Sequence, residues 1–184
     1  MELDADLEGV AALVTARDPA AMVAAVLAVE PAPGARRYLC AFERADGSRG
    51  WLAVAADGEA VTSKRDTRDV VTVAALCELA EESAFPGDLD ELRAQLVALR
   101  LTENPGGIDE AEKAALALQH VLGAPPQVAS PARLDAIGAA ARRLELALDP
   151  TAGSPFGHAM QAAQGVADEL WAEVEASYLE PLTP

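Results

Sequence analysis

His120 and His158 are the only histidines among the 184 residues, so any chemistry that needs an imidazole must run through one of them. Neither arrives with partners. The positions three and four residues from His120 are Leu116, Ala117, Gly123 and Ala124, which lack the carboxylate of the Glu-x-x-His pattern in carboxylate-bridged metal bundles. His158 stands in Phe156-Gly157-His158 at the opening of a helical stretch, a cap-region position, and a catalytic or metal site needs several converging groups. Glu78, Glu81 and Glu82 share a helix, and Asp168, Glu169 and Glu173 share another. Paired carboxylates three or four residues apart can move protons or hold a metal, but helix surfaces carry them routinely.

The two cysteines offer no more. Cys40 lies on a strand and Cys77 in a helical stretch, both in apolar surroundings where a thiol behaves as a small hydrophobe, and Cys77-Glu78 has no base nearby in sequence. Two such residues make no disulfide framework, and buried free thiols suit a reducing cytoplasm. A glycine-rich phosphate loop, a Gly-x-Ser-x-Gly elbow, Cys-x-x-Cys and His-Glu-x-x-His are all missing from the sequence. Gly106-Gly107 could offer amides to an anion, but Asp109 and Glu110 follow directly. The residues therefore call for no cofactor and no metal.

What remains is a candidate surface on Arg37 to Ser63. Apolar, aromatic-containing runs at Arg37 to Arg44 and Gly50 to Ala56 are bounded by Ala45-Asp46-Gly47-Ser48 and Asp57-Gly58, and Asp-Gly between such runs is a strong hairpin signal. A three-stranded antiparallel meander follows, closed by a strand around Val61. A four-residue loop at Ala45 to Ser48 sets Arg44 against Arg49, Phe42 against Trp51, Cys40 against Ala53 and Tyr38 against Ala55, and a turn at Asp57-Gly58 sets Val54 opposite Val61. Because alternate side chains point to opposite faces, Leu39, Ala41, Leu52, Val54 and Val61 share one face. Tyr38, Phe42 and Trp51 share the other, with Arg44 and Arg49 at its rim. This aromatic face is expected either to carry a second helix layer or to serve as a binding platform for Tyr38, Phe42, Trp51, Arg44 and Arg49.

Helices must cover so small a sheet. Leu3, Leu7, Val10 and Val14 trace a first helix face. Asp18 and Pro19 read as the start of a second helix with Met22, Val23, Val26 and Leu27 as its buried stripe. After the meander come a helix over about Arg68 to Ser83, stopped by Phe85-Pro86-Gly87, and one capped by Asp88 with the stripe Leu89, Leu92, Leu96 and Leu99. Three more follow, with stripes Ala111, Ala115, Leu118, Leu122, then Leu134, Ile137, Ala141, Leu144, Leu148, then Phe156, Met160, Ala163, Ala167, Leu170, Val174 and Tyr178. The expected fold is α+β, with two N-terminal helices, the meander and a largely helical C-terminal half forming a bundle. A break at Asn104 to Gly107 separates an α+β unit, residues 1–103, from a three-helix unit, residues 108–184, which either forms its own domain or shares one core with the first.

Fourteen basic against thirty acidic residues give a net charge of −16, a surface that repels nucleic acid and anionic membranes. The segment Arg36 to Arg68 departs from this, with seven basic and five acidic residues. Few lysines and abundant Ala, Pro, Gly and Arg fit a bacterial gene of high GC content or adaptation to salt. The amino terminus is acidic where a secretory signal is basic, and no apolar run reaches the roughly 18 residues of a membrane span, so a soluble cytoplasmic protein is expected. The function this supports is a non-enzymatic ligand-binding or protein-interaction module, with a protein partner or self-association expected and a small-molecule ligand admissible. The alternative is an enzyme or metal-binding helical protein whose carboxylates and His120 or His158 meet only in the fold.

Overall fold

Element by element, the computed structural model describes residues 2–57, 60–61, 63–102, 106–124, 128–151 and 153–178. It runs α1 (Glu2–Arg17), β1 (Ala21–Val29), β2 (Arg37–Arg44), β3 (Arg49–Ala55), α2 (Lys64–Ser83), α3 (Leu89–Thr102), α4 (Gly106–Gly123), α5 (Pro131–Leu148) and α6 (Pro155–Tyr178). The class is α+β: a three-stranded antiparallel sheet followed by a helical C-terminal half. The chain forms two compact units, and they do not divide at the Asn104 break. The first takes residues 1–75, 128–131 and 165–184; the second takes 76–127 and 132–164. Asn104 and Pro105 themselves lie outside the described residues, as do Pro125 and Pro126.

In the first unit the sheet has order β1-β2-β3 with β2 central, and two sequence expectations are corrected. The segment after Asp18-Pro19 is a strand, not a second helix. Asp18 does end α1, its N–H donating to the Val14 carbonyl, but its carboxylate then accepts the Ala20 N–H in a tight turn and the chain extends into β1. The helical periodicity of Val23 and Val26 has a β origin. A bulge between Val23 and Ala25 inserts one residue, so both valines, three apart, pack on the same side of the sheet. The third strand of the sheet is thus Ala21–Val29. Around Val61 the described residues form an isolated bridge, Ala60 to Val54, with the Val61 N–H donating to the Ala53 carbonyl. Gly58, of the expected Asp57-Gly58 turn, is outside the described residues.

The second correction is the register of β2 on β3, which is displaced by one residue from the expected pairing. Glu43 stands opposite Arg49, Phe42 opposite Gly50, Ala41 opposite Trp51, Cys40 opposite Leu52 and Tyr38 opposite Val54. The loop sets this offset: the Arg44 N–H donates to the Ser48 carbonyl, the Gly47 N–H donates to the Arg44 carbonyl, and Gly47 takes a positive φ of 81°. Tyr38, Cys40, Phe42, Leu52 and Val54 consequently share one face, against Val10 and Val14 of α1. On the other face Val29, Leu39 and Ala53 are buried too. Within this unit the helical surfaces that can cover them are Val70, Val71, Ala74 and Ala75 of α2 and Ala167 and Val174 of α6, all buried. Lys64–Glu175 and Arg68–Asp168 ion pairs tie those two helices together. Val29 also forms a parallel bridge to Ala129, extending the β1 edge by one short contact.

The second unit is helical. Ala80 and Ala84 of α2 and its following residue, Ala114, Ala115 and Leu118 of α4, Ile137, Ala140, Ala141 and Leu144 of α5 and Phe156 of α6 form its core. The stripes expected for α4, α5 and the start of α6 supply most of it. Small alanines let the helices approach, and Leu118, Ile137 and Leu144 fill the centre at 0–1% exposure. The helix ends are closed by side chains. Asp88 Oδ1 accepts the Asp90 and Glu91 N–H groups at the start of α3, as its N-cap pattern predicts. The α4 carboxyl end is held by Arg133, whose guanidinium donates to the Val121 and Leu122 carbonyls and to Glu81 of α2 at 2.8 Å.

Candidate functional site

The register distributes the five expected platform residues over two faces. Tyr38 and Phe42 are buried at 3% and 4% exposure in the cluster under α1. Arg44 lies over the Phe42 ring, 5.1 Å from its centroid, and its Nε donates to Asp18 at 2.7 Å. That hydrogen bond holds the Asp18 carboxyl below the ordinary range. Trp51 and Arg49 are on the opposite side of the sheet, Trp51 half-buried and Arg49 exposed opposite Glu43. Tyr38, Phe42 and Trp51 therefore form no common surface, and Arg44 and Arg49 flank no common rim. The two rings and Arg44 serve packing and an ion pair.

The other chemistry-bearing residues also stay apart. His120 and His158 are exposed. Glu81 is taken by Arg133 and Asp168 by Arg68. Cys40 and Cys77 are buried and form no disulfide, and burial pushes the Cys40 thiol up to about 12, far from a reactive thiolate. Among the described residues no three His, Cys, Asp or Glu side chains converge as a metal site would require.

The second unit contains instead a pocket of about 200 Å³, built where three helix termini meet. Its first wall is the end of α2, Ser83 and Ala84, with Phe85 and Pro86 beyond it. Pro86 disfavours helical geometry at Phe85 and so ends the helix there. Gly87 lets the Phe85 ring fold back, since a Cβ at that position would lie 2.9 Å from the ring. The second wall is the last two turns of α5, Ala141, Leu144, Glu145 and Leu148, continued by Asp149. The third is Gly153, Pro155 and Phe156 at the start of α6. The lining is mostly apolar, and Phe156 is itself seated over Gly138 of α5, where a Cβ would approach the ring to 3.3 Å.

Glu145 fixes this geometry. Its Oε1 accepts the Phe156 N–H at 2.7 Å, and its Oε2 accepts the Ser154 hydroxyl at 2.7 Å and an Arg142 N–H at 3.3 Å. Ser154 Oγ in turn accepts the Gly157 N–H, so α6 begins with two of its orphan donors satisfied, one by Ser154 and one by a carboxylate reaching from α5. Burial raises the Glu145 pKa, but the hydrogen bonds from Phe156, Ser154 and Arg142 outweigh it and the net shift is downward. The carboxylate is charged at neutral pH and locks the α5–α6 corner.

The sequence places Leu144, Leu148 and Phe156 on buried helix stripes and gives no direct sign of the pocket between them. The available signal was a carboxylate in the last turn of one helix, Glu145, followed nine residues later by a Ser-Pro helix start. Among the described residues, no helix is long and apolar enough to cross a membrane. No protein-family model matches the chain, and no curated protein and no solved structure matches it.

Proposed function

We propose that this protein is a non-enzymatic binding module of the cytoplasm whose site is the pocket framed by Phe85, Leu144, Leu148 and Phe156, and whose ligand is a small, largely apolar molecule. The observation that carries the reading is the pocket itself: about 200 Å³ with two phenylalanines in its walls and polar groups confined to a few positions. Lining of this kind favours a ring or a short branched chain, because a cavity of roughly 150 Å³ walled by Leu, Ile and Phe takes up benzene. Two buried thiols that form no disulfide support the reducing compartment.

A ligand of about eight heavy atoms bound at about 0.5 kcal/mol per atom gives about 4 kcal/mol, a dissociation constant near 1 mM. Ligand-observed NMR with toluene is therefore the suitable test. Saturable binding in the millimolar range is expected, and Leu148→Trp, at a half-exposed wall position, should abolish it while the melting temperature stays within a few degrees. Absence of saturable binding by toluene to the wild type would remove the proposal.

A further inference from the structure

We infer that two copies of this chain join through the open edge of β1 and the outer side of α1, their β1 strands pairing antiparallel about a two-fold axis, a contact independent of the pocket. Within the first unit the two edges of the sheet are treated differently. β3 is blunted twice: Arg49 puts an exposed charge at its start, and toward its end Ala60 bridges Val54 while the Val61 N–H donates to the Ala53 carbonyl. The cover on β1 is one residue long, Ala129 donating to the Ala28 carbonyl and accepting the Glu30 N–H. Among the described residues no backbone group bonds to the outer edge of β1 from Met22 to Leu27. An edge left open in a monomer is ordinarily guarded by charged side chains or proline. The strand AMVAAVLAV has neither, and Met22, Ala24, Ala25 and Leu27 are exposed, Met22 at 73%. Its bulge between Val23 and Ala25 twists the strand without adding a charge, and a two-fold axis gives both partners the same twist.

The helix beside that edge shows the same pattern. α1 packs on β1 and β2 with Val10 and Val14 buried, yet from Gly9 to Ala16 it has no charged residue, and its exposed Ala12, Leu13 and Ala16 are as apolar as its buried side. A helical segment that is apolar nearly all round is ordinarily covered on all sides. Charge selects what covers it. Gly9 to Val29 holds one basic and one acidic residue, Arg17 and Asp18, in a chain of net charge −16, and Asp18 is paired with Arg44. A basic partner would be drawn to the acidic remainder, whereas a second copy, repelled by that remainder, meets no excess of like charge here. The edges then set the stoichiometry. With β3 blunted, β1 pairs with the β1 of another copy, and the contact closes at two copies in a six-stranded sheet instead of running on as a fibre.

Sedimentation velocity of the full chain from about 1 to about 200 μM is the test, since a dimer's population follows protomer concentration. A species of twice the protomer mass is expected at the upper end, and hydrogen exchange at the β1 amides should be at least about tenfold slower there than at the lower end. Leu13→Glu combined with Leu27→Glu, both at exposed positions, should raise the dissociation constant at least about a hundredfold, because each new charge enters a two-fold contact twice. Leu101→Glu combined with Leu116→Glu adds the same charge at exposed positions of the second unit and should leave the dimer intact. A monomer throughout the range overturns the inference, as does a species that keeps growing beyond two copies. Equal weakening by the two pairs, or none by the first, traces association to another surface and overturns it too. Exchange at β1 that is the same at both concentrations does so without any variant.

Discussion

Replacing Glu145 by alanine is expected to cost about 2–4 kcal/mol of stability, because three hydrogen bonds to one charged acceptor disappear and the Phe156 N–H and Ser154 hydroxyl, both in a largely buried corner, lose their partner. For a chain of this length that is a fall in melting temperature of about 2–4 °C per kcal/mol. Circular dichroism at 222 nm is the right probe, since both tryptophans, Trp51 and Trp171, are in the other unit and would not report this corner directly. A loss under about 0.5 kcal/mol, the range of ordinary surface substitutions, would mean that the carboxylate does not hold the start of α6.

The same residue gives a pH signature whose sign follows from linkage. The folded-state pKa of Glu145 is depressed, so the unfolded chain binds its proton more readily. Its contribution to stability is fully present above the ordinary glutamate pKa of about 4.3 and is lost as the pH falls through the lower folded value. The stability difference between wild type and Glu145→Ala should therefore be constant from pH 6 to 8 and shrink on acidification below about pH 4. Asp18, Asp46 and Glu110 also have depressed pKa values, and they belong to the background shared by the two proteins.

Much of the helical half was legible because its signals are local. Asp88 and the Phe85-Pro86-Gly87 stop act through backbone chemistry within a turn or two, and the α4 and α5 stripes follow from 3.6-residue geometry alone. The sheet was only half legible, for two physical reasons. Ala21–Val29 is rich in alanine, and its bulge converts a two-residue period into a three-residue step between Val23 and Val26, so the pattern imitates a helix. The β2–β3 register depends on the hydrogen bonding of the loop, and a slip of one residue exchanges faces for every side chain on a strand. The pocket was hidden for a third reason: Phe85, Glu145 and Phe156 come from separate segments of the chain, and no spacing within one helix encodes their meeting.

The register itself can be tested in solution by the pair Phe42 and Gly50. The Phe42 ring lies across Gly50, so close that a Cβ on Gly50 would stand 2.4 Å from its Cζ, and with Arg44 stacked on the ring it has little room to withdraw. Phe42→Ala is expected to cost about 3–5 kcal/mol, as for a buried phenylalanine in a core. Gly50→Ala should cost about 1–3 kcal/mol by overpacking. In the Phe42→Ala background the methyl has space, and alanine is preferred to glycine in a strand by about 0.5–1 kcal/mol, so the second substitution should become neutral or stabilising there. The double-mutant cycle then shows a coupling of at least about 1 kcal/mol, measurable by urea unfolding. With Phe42 opposite Trp51, Gly50 would sit across from Glu43 on the other face, and the two substitutions would add to within about 0.5 kcal/mol. Additivity would restore the aromatic platform; coupling leaves Phe42 beneath α1, with Trp51 on the opposite side of the sheet.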